Sequence, residues 1–344
     1  MKVGIIGHLG GQQSFTDGQT VKTKALVGGL RNKGYSDLII ADTYYMKKNP
    51  AVFLGQLIQV LLKTNKVIVL LSNRGRKMLF PLLSKVSSKK KIYHYSIGGR
   101  LAQEAEKNPK YKAQISSFEA NWVESKKIAQ RLNELGVSNA SYLPNFKCIK
   151  QLDASGLVSH SQEPYRFCMF SRVIPEKGVE DAMRAIRRVN ENVGKLVATL
   201  DIYGPVEDTY SERFRWALKN IGGGYTEYRG IVPPNDSVTV LKEYYMLLFP
   251  TYWNGEGMPG TIIDALSAGL PIIARRWEFC DDMIDDMLTG LVYEFNQPEE
   301  LERRIEFAVE NPTIIANMKK TCLDKALEYS EDCVIGRIIE NIVS

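Results

Sequence analysis

A chain of 344 residues is longer than one hydrophobic core usually serves and suits two domains. With 44% hydrophobic and 24% charged residues, only short apolar runs, and five cysteines at no metal-ligand spacing, it is neither disordered nor membrane-spanning nor disulfide-framed, and a cytoplasmic setting is expected. The net charge of +6 conceals a split: residues 1–150 carry 25 Lys and Arg against 8 Asp and Glu, a balance of +17, whereas residues 151–344 carry 20 against 31, a balance of −11.

Val3–Ile6 reads as a first strand, and it runs into the turn Gly7-His8-Leu9-Gly10-Gly11 without a small-residue cleavage site, so it is not a signal peptide. Strand-like runs at Leu38–Ala41, Val67–Leu71, Ile92–Tyr95 and Asn121–Val123 follow, separated by helical stretches such as Thr20–Asn32, Ala51–Leu62 and Ser125–Leu135. Arg74, Arg76, Lys77, Lys85, Lys89, Lys90 and Lys91 interleave with Met78, Leu79, Phe80, Leu82, Leu83 and Val86. That pattern suits either a solvated helix packed by its apolar face or a segment lying on an anionic membrane. Periodicity then lapses between 147 and 164, which sets a first domain at 1–150 and a linker at 151–164. Beyond it come strands at Phe167–Phe170, Ala198–Tyr203, Thr226–Tyr228, Met246–Phe249, Ile272–Ala274 and Leu291–Tyr293. Helices are expected near Val179–Asn190, Ser211–Asn220, Ser237–Glu243, Thr261–Ala268 and Glu299–Val309. The alternation predicts an α/β chain of two doubly wound, Rossmann-like domains facing across a cleft, the second over 165–328, with a last segment at 329–344.

The most telling stretch joins two of those elements. Glu256 stands in the loop Gly255-Glu256-Gly257-Met258-Pro259-Gly260, and Asp264 follows inside the next helix, with seven residues between the two carboxylates. Such a loop lies at the carboxyl edge of a parallel sheet, where open α/β folds bind ligands. Its helix start offers N–H groups to an anion, and the carboxylates accept hydrogen bonds from hydroxyls, which suits a phosphate joined to a polyol. Upstream, Ser171-Arg172-Val173-Ile174-Pro175-Glu176-Lys177-Gly178 places a guanidinium and an ammonium between the first strand and first helix of the same domain, where together they would neutralise a diphosphate.

This arrangement closely resembles the E-x7-E signature of the retaining glycosyltransferases of family 4, here as E-x7-D, and Arg172 with Lys177 looks like the family's second hallmark. The resemblance implies the GT-B fold and transfer of a hexose from a nucleotide-diphosphate sugar, expected to be UDP-linked, to a polysaccharide or lipid-linked oligosaccharide precursor. It implies that Glu256 positions donor hydroxyls, that Asp264 holds the ribose, and that Gly257, Met258, Pro259 and Gly260 present the helix N-terminus to the diphosphate. Gly10 and Gly11 would let the backbone approach that diphosphate, and His94 would lie near the reacting sugar. Asp201-Ile202-Tyr203-Gly204-Pro205 resembles the family's L-x-I-x-G-x-G turn, with Gly204 retained and the last Gly missing. The final helix would cross back to the first domain, as in the family. Arg275-Arg276-Trp277-Glu278 departs from the small residues common there.

The turn Gly7 to Gly11 lacks the G-x-G-x-x-G spacing of a nicotinamide-binding loop. Asp281, Asp282, Asp285 and Asp286 are expected to form the acidic face of a short helix rather than a metal site, and no D-x-D occurs, so no metal and no cofactor beyond the donor is expected. An epimerase or phosphorylase of the same fold remains an alternative, as does a nucleic-acid-binding protein using the basic half, although no recognition module accompanies those lysines. Arg74 to Lys91 would set the chain peripherally on the inner face of the cell membrane.

Overall fold

The computed structural model describes residues 2–11, 13, 18–148, 150–160, 162–294, 297 and 299–343. The chain divides into two compact units, Met1–Cys148 with Tyr329–Ser344, and Ile149–Glu328.

In the first unit, β1 (Val3–Gly7), β2 (Leu38–Asp42), β3 (Lys66–Val69), β4 (Lys91–Tyr95), β5 (Ala120–Val123) and β6 (Ala140–Tyr142) form one parallel sheet in the order β2-β1-β3-β4-β5-β6. A parallel sheet is covered on both faces, which is why every residue of Val3–Gly7 is buried and the strand reads as an unbroken apolar run. The helices are α1 (Gly18–Asn32), α2 (Tyr45–Lys48), α3 (Pro50–Lys63), α4 (Asn73–Val86), α5 (Leu101–Lys107), α6 (Pro109–Ser116) and α7 (Lys126–Glu134). Local chemistry starts several of them. The Asn49 carboxamide accepts from Val52 N ahead of Pro50, Asn108 does the same for Lys110 N and Tyr111 N ahead of Pro109, and the Ser125 hydroxyl accepts from Lys127 N.

The second unit holds β7 (Tyr165–Phe170), β8 (Ala198–Tyr203), β9 (Thr226–Gly230), β10 (Met246–Phe249), β11 (Ile272–Arg275) and β12 (Gly290–Tyr293), also parallel, in the order β12-β11-β10-β7-β8-β9. Around them lie α8 (Val179–Val193), α9 (Ser211–Asn220), α10 (Ser237–Leu241), α11 (Gly260–Ser267), α12 (Cys280–Met283), α13 (Glu300–Glu310) and α14 (Pro312–Ala326). The last helix, α15 (Glu331–Val343), belongs to the first unit. Its Val334, Ile335, Ile338 and Ile342 enter that unit's core beside Leu26, Leu30 and Tyr93, and Ile335 comes so close to Gly29 of α1 that a Cβ there would lie 2.6 Å from it.

Each strand order reverses once, and each reversal sets a place for a ligand. Chain direction across the sheet changes at β1 and β3 in the first unit and at β7 and β10 in the second, so the loops leaving those strand pairs diverge and open a crevice. The acidic run after β11 differs from expectation: α12 ends at Met283, and Asp286 lies beyond it, accepting from Val292 N at 2.8 Å. The four carboxylates therefore share no helical face. Among the described residues no group of His, Cys, Asp and Glu could hold a metal ion, and no helix is long and apolar enough to cross a membrane.

Candidate functional site

At the reversal of the second sheet, the loop after β7 and the loop after β10 meet. Gly178 sits in the left-handed region at φ 71°, and a Cβ there would stand 2.4 Å from the Pro250 carbonyl oxygen, so only glycine permits this contact. Tyr252 N donates to Glu176 O at 2.8 Å and ties the same loops together again. Gly204, at φ 131°, brings the end of β8 against the β7 loop. A Cβ there would lie 1.8 Å from Ser171 O.

This packing delivers Lys177 to Glu256. The ammonium donates to Glu256 Oε2 in a short ion pair, and both side chains are about nine-tenths buried. Thr251 Oγ1 donates to the same carboxylate oxygen at 3.0 Å, and the Lys177 ammonium lies 5.4 Å from the Phe249 ring centroid. The two residues singled out by sequence are thus joined directly, across 79 positions of chain. Arg172, on the β7 loop, is exposed, and its guanidinium makes no ion pair or hydrogen bond to a described residue.

The Gly257–Gly260 stretch leads into α11, whose Thr261 hydroxyl donates to Phe170 O at the end of β7. Met258 is buried, and Pro259 accepts from Ile262 N at 3.1 Å. Trp277 donates from Nε1 to Gly257 O at 3.0 Å while its ring meets Phe249 edge-on, 5.4 Å between centroids. Sequence reasoning saw Trp277 only as a departure; its structural work is to fix the loop that carries Glu256. Arg276 turns elsewhere, pairing with Glu294 and Asp281. Asp264 is 2% exposed and accepts from the Ser237 hydroxyl at 3.3 Å. Ser237 on α10 went unnoticed in the sequence, because nothing in a lone serine 27 positions away signals the contact.

The remaining predicted residues lie in the first unit. Gly10 and Gly11 both have positive φ, 87° and 59°. Gly11 N donates to Asp42 Oδ2 at 2.9 Å and Leu9 N to Asp42 Oδ1 at 2.9 Å, so the Gly11 amide serves the turn itself. His94 is 0% exposed on β4. Its Nδ1 meets Asn121 Oδ1 at 3.1 Å, and Phe80 and Phe118 stand edge-on against the ring. Burial, reinforced by the Arg76 guanidinium and opposed by the Asn121 hydrogen bond, pulls its pKa down to about 3, so the imidazole is neutral. So enclosed, His94 is packed as a core residue.

The basic segment is also smaller than its sequence suggests. Arg76 is 2% exposed and paired with Glu104 at 3.0 Å, Lys91 pairs with Glu119 at 2.9 Å, and Lys90 donates to Thr64 O at 2.5 Å. Arg74, Lys77, Lys85 and Lys89 stay exposed, with Met78 and Leu82 among them.

Two parallel sheets of this order, taken with the solved structures they resemble, show a GT-B fold. Residues 158–324, most of the second unit, match the model of the glycosyl transferases group 1. Among curated proteins, an uncharacterized glycosyltransferase of Methanocaldococcus jannaschii is 24% identical over 185 residues, 52% of this chain and 48% of the relative. The N,N'-diacetylbacillosaminyl-diphospho-undecaprenol alpha-1,3-N-acetylgalactosaminyltransferase of Campylobacter jejuni is 24% identical over 124 residues, 36% of this chain and 32% of that protein. The matched regions thus span half or less of these relatives. Among solved structures, Anabaena Alr3699/HepE in complex with UDP aligns over 100% of both chains with a TM-score of 0.76 at 10% identity. The lipopolysaccharide outer core galactosyltransferase WaaB aligns over 100% of this chain and 99% of its own, with a TM-score of 0.70 at 15% identity. Those likenesses establish the fold.

Proposed function

We propose that this chain is a retaining glycosyltransferase that moves a hexose from a nucleotide-diphosphate sugar, UDP-linked, to a glycan or lipid-linked acceptor. The observation that carries the reading is the buried Lys177–Glu256 pair at the sheet reversal of a glycosyltransferase domain. A buried ammonium held by a carboxylate, itself fixed by a threonine hydroxyl, is already oriented, so it can stabilise charge growing on a leaving diphosphate at little reorganisation cost. Arg172, exposed on the adjoining loop, adds a second cation, and the α11 N-terminus adds backbone N–H groups. Glu256 then positions donor hydroxyls and Asp264, steadied by Ser237, holds the ribose. Retention follows if the acceptor attacks from the leaving-group side while the diphosphate takes its proton. Phosphate charge is met by these groups, so we expect no metal requirement.

Support for a UDP donor comes from the fold likeness to a protein solved with UDP, and support for a lipid-linked acceptor from the name of the Campylobacter relative. Thermal melts with a panel of nucleotide sugars, followed by transfer assays with and without chelator, test the reading. A UDP-sugar should raise the melting temperature, and transfer should survive chelation. Stabilisation by no nucleotide sugar, or activity restored only by added divalent metal, would count against it.

The exposed Arg74, Lys77, Lys85 and Lys89, with Met78 and Leu82, support peripheral binding to an anionic membrane, each basic group contributing roughly 1 kcal/mol near such a surface. Lys77→Glu, Lys85→Glu and Lys89→Glu together should abolish salt-sensitive sedimentation with anionic liposomes. Unchanged sedimentation would remove the surface from consideration.

A further inference from the structure

The first sheet has its own reversal, at β1 and β3, and a pocket of about 370 Å³ opens there. Its walls come from the loop after β1, the loop after β3, helix α2 and the first turns of α4. The volume falls in the range of small-molecule sites, and its place at a strand-order reversal is where open α/β sheets take ligands.

The lining is chemically one-sided. Lys47, Lys48 and Arg74 bring three cations to it, and among the described residues no Asp or Glu lines it. None of the three makes an ion pair or side-chain hydrogen bond to a described residue. Asp42 forms no ion pair with them; its two oxygens accept from the N–H groups of Leu9, Gly11 and Tyr44, each at 2.9 Å. Elsewhere on this unit, basic groups with a partner in reach have taken it: Arg76 with Glu104, Lys91 with Glu119, and Lys22 with Glu124. Three cations gathered without a carboxylate repel one another, and a multiply charged anion relieves that repulsion.

The pocket also has an apolar side. Met46, Leu71 and Met78 line it, and Met78 is 58% exposed. From Arg74 the outward face of α4 continues through Met78 and Leu82 to Lys85, spacings of four, four and three that keep them on one stripe. Charge at the mouth and an apolar track leading away from it match a molecule with an anionic head and a hydrocarbon tail.

We propose that this pocket binds the phosphate or diphosphate head of a lipid acceptor, with Lys47, Lys48 and Arg74 on the phosphate oxygens and the chain running along Met78 and Leu82. This deepens the glycosyl-transfer reading and rests on it for the word acceptor; the binding itself does not. Calorimetric titration with a short-chain prenyl diphosphate, inorganic diphosphate and the uncharged prenyl alcohol separates head from tail. The prenyl diphosphate should bind at least tenfold more tightly than either of the others. Lys47→Ala with Arg74→Ala should weaken it tenfold or more, and Met78→Ser should weaken the prenyl diphosphate while leaving inorganic diphosphate unaffected. Stabilisation of the variants by UDP, as for the parent, confirms that they fold. Equal binding of the alcohol would overturn the anionic head, and equal binding of inorganic diphosphate would overturn the lipid. If prenyl diphosphate binds as expected while no nucleotide sugar does, the transferase reading fails and the pocket stands.

Discussion

The two sheet reversals solve the same topological problem with opposite chemistry. In the second unit the cation is buried, already paired with a carboxylate, and locked by two glycines pressed against carbonyl oxygens. In the first unit the cations are exposed, they pair with no described residue, and the neighbouring turn is held by Asp42 through backbone N–H groups. A buried pair fixes geometry at the cost of desolvating two charges, whereas exposed cations adapt to their ligand and give up little when it leaves. The difference fits the roles proposed above, one site holding a reacting bond and the other only a substrate.

The sharpest way to break this contrast is to disturb the locked loops. Gly204→Ala would press a Cβ against Ser171 O in a backbone conformation unfavourable to side chains, and should cost about 3 kcal/mol or more. Urea unfolding followed by intrinsic fluorescence should show a lower midpoint for the second unit; an unchanged midpoint means the β7 loop yields easily and is not locked.

Next comes the pair itself. Lys177→Ala should lower kcat by on the order of 100-fold, the usual loss when an oriented charge-stabilising donor is removed, and should leave the Glu256 carboxylate buried without its cation. Steady-state kinetics on a folded variant decide the matter, and near-parental turnover would reduce the pair to a structural contact.

The last test concerns the core reading of His94. Its folded pKa of about 3 lies below the ordinary value of 6.5, so the unfolded chain binds a proton that the native state does not. Stability should therefore fall as pH drops from about 6.5 toward 3, by up to about 1.4 kcal/mol per pH unit from this group, and should be unaffected by it above that window. His94→Asn should flatten the acid limb of a melting-temperature profile. A limb of unchanged slope in the variant would show that other groups govern acid stability.

Much of this was legible in the chain. Alternating apolar runs and helical periods mark most strands, and the carboxylate loop with its upstream Arg and Lys points to the second reversal, because short-range spacing fixes which sheet edge those residues occupy. Long-range contacts were not legible. Nothing near Gly11 announces Asp42, 31 positions away, as the partner of its N–H, and nothing near Arg76 announces Glu104. A basic residue every few positions reads as one charged surface, although burial removes Arg76 from it. Strand β6 escaped notice because it is three residues long with only Ala140 buried, too short for a pattern. Helix α14 was not expected, although Asn311-Pro312 breaks it from α13 and its buried Ile315, Met318, Cys322 and Leu323 recur at helical spacing.

The return of α15 to the first unit has a consequence for synthesis. A ribosome completes residues 149–328 as one uninterrupted stretch, whereas the unit begun first must wait for Val334, Ile335, Ile338 and Ile342 before its core can close. Until then the groove over Gly29, Leu26 and Leu30 is exposed to water and to chaperones, so of the two units the one begun earlier is the one finished later.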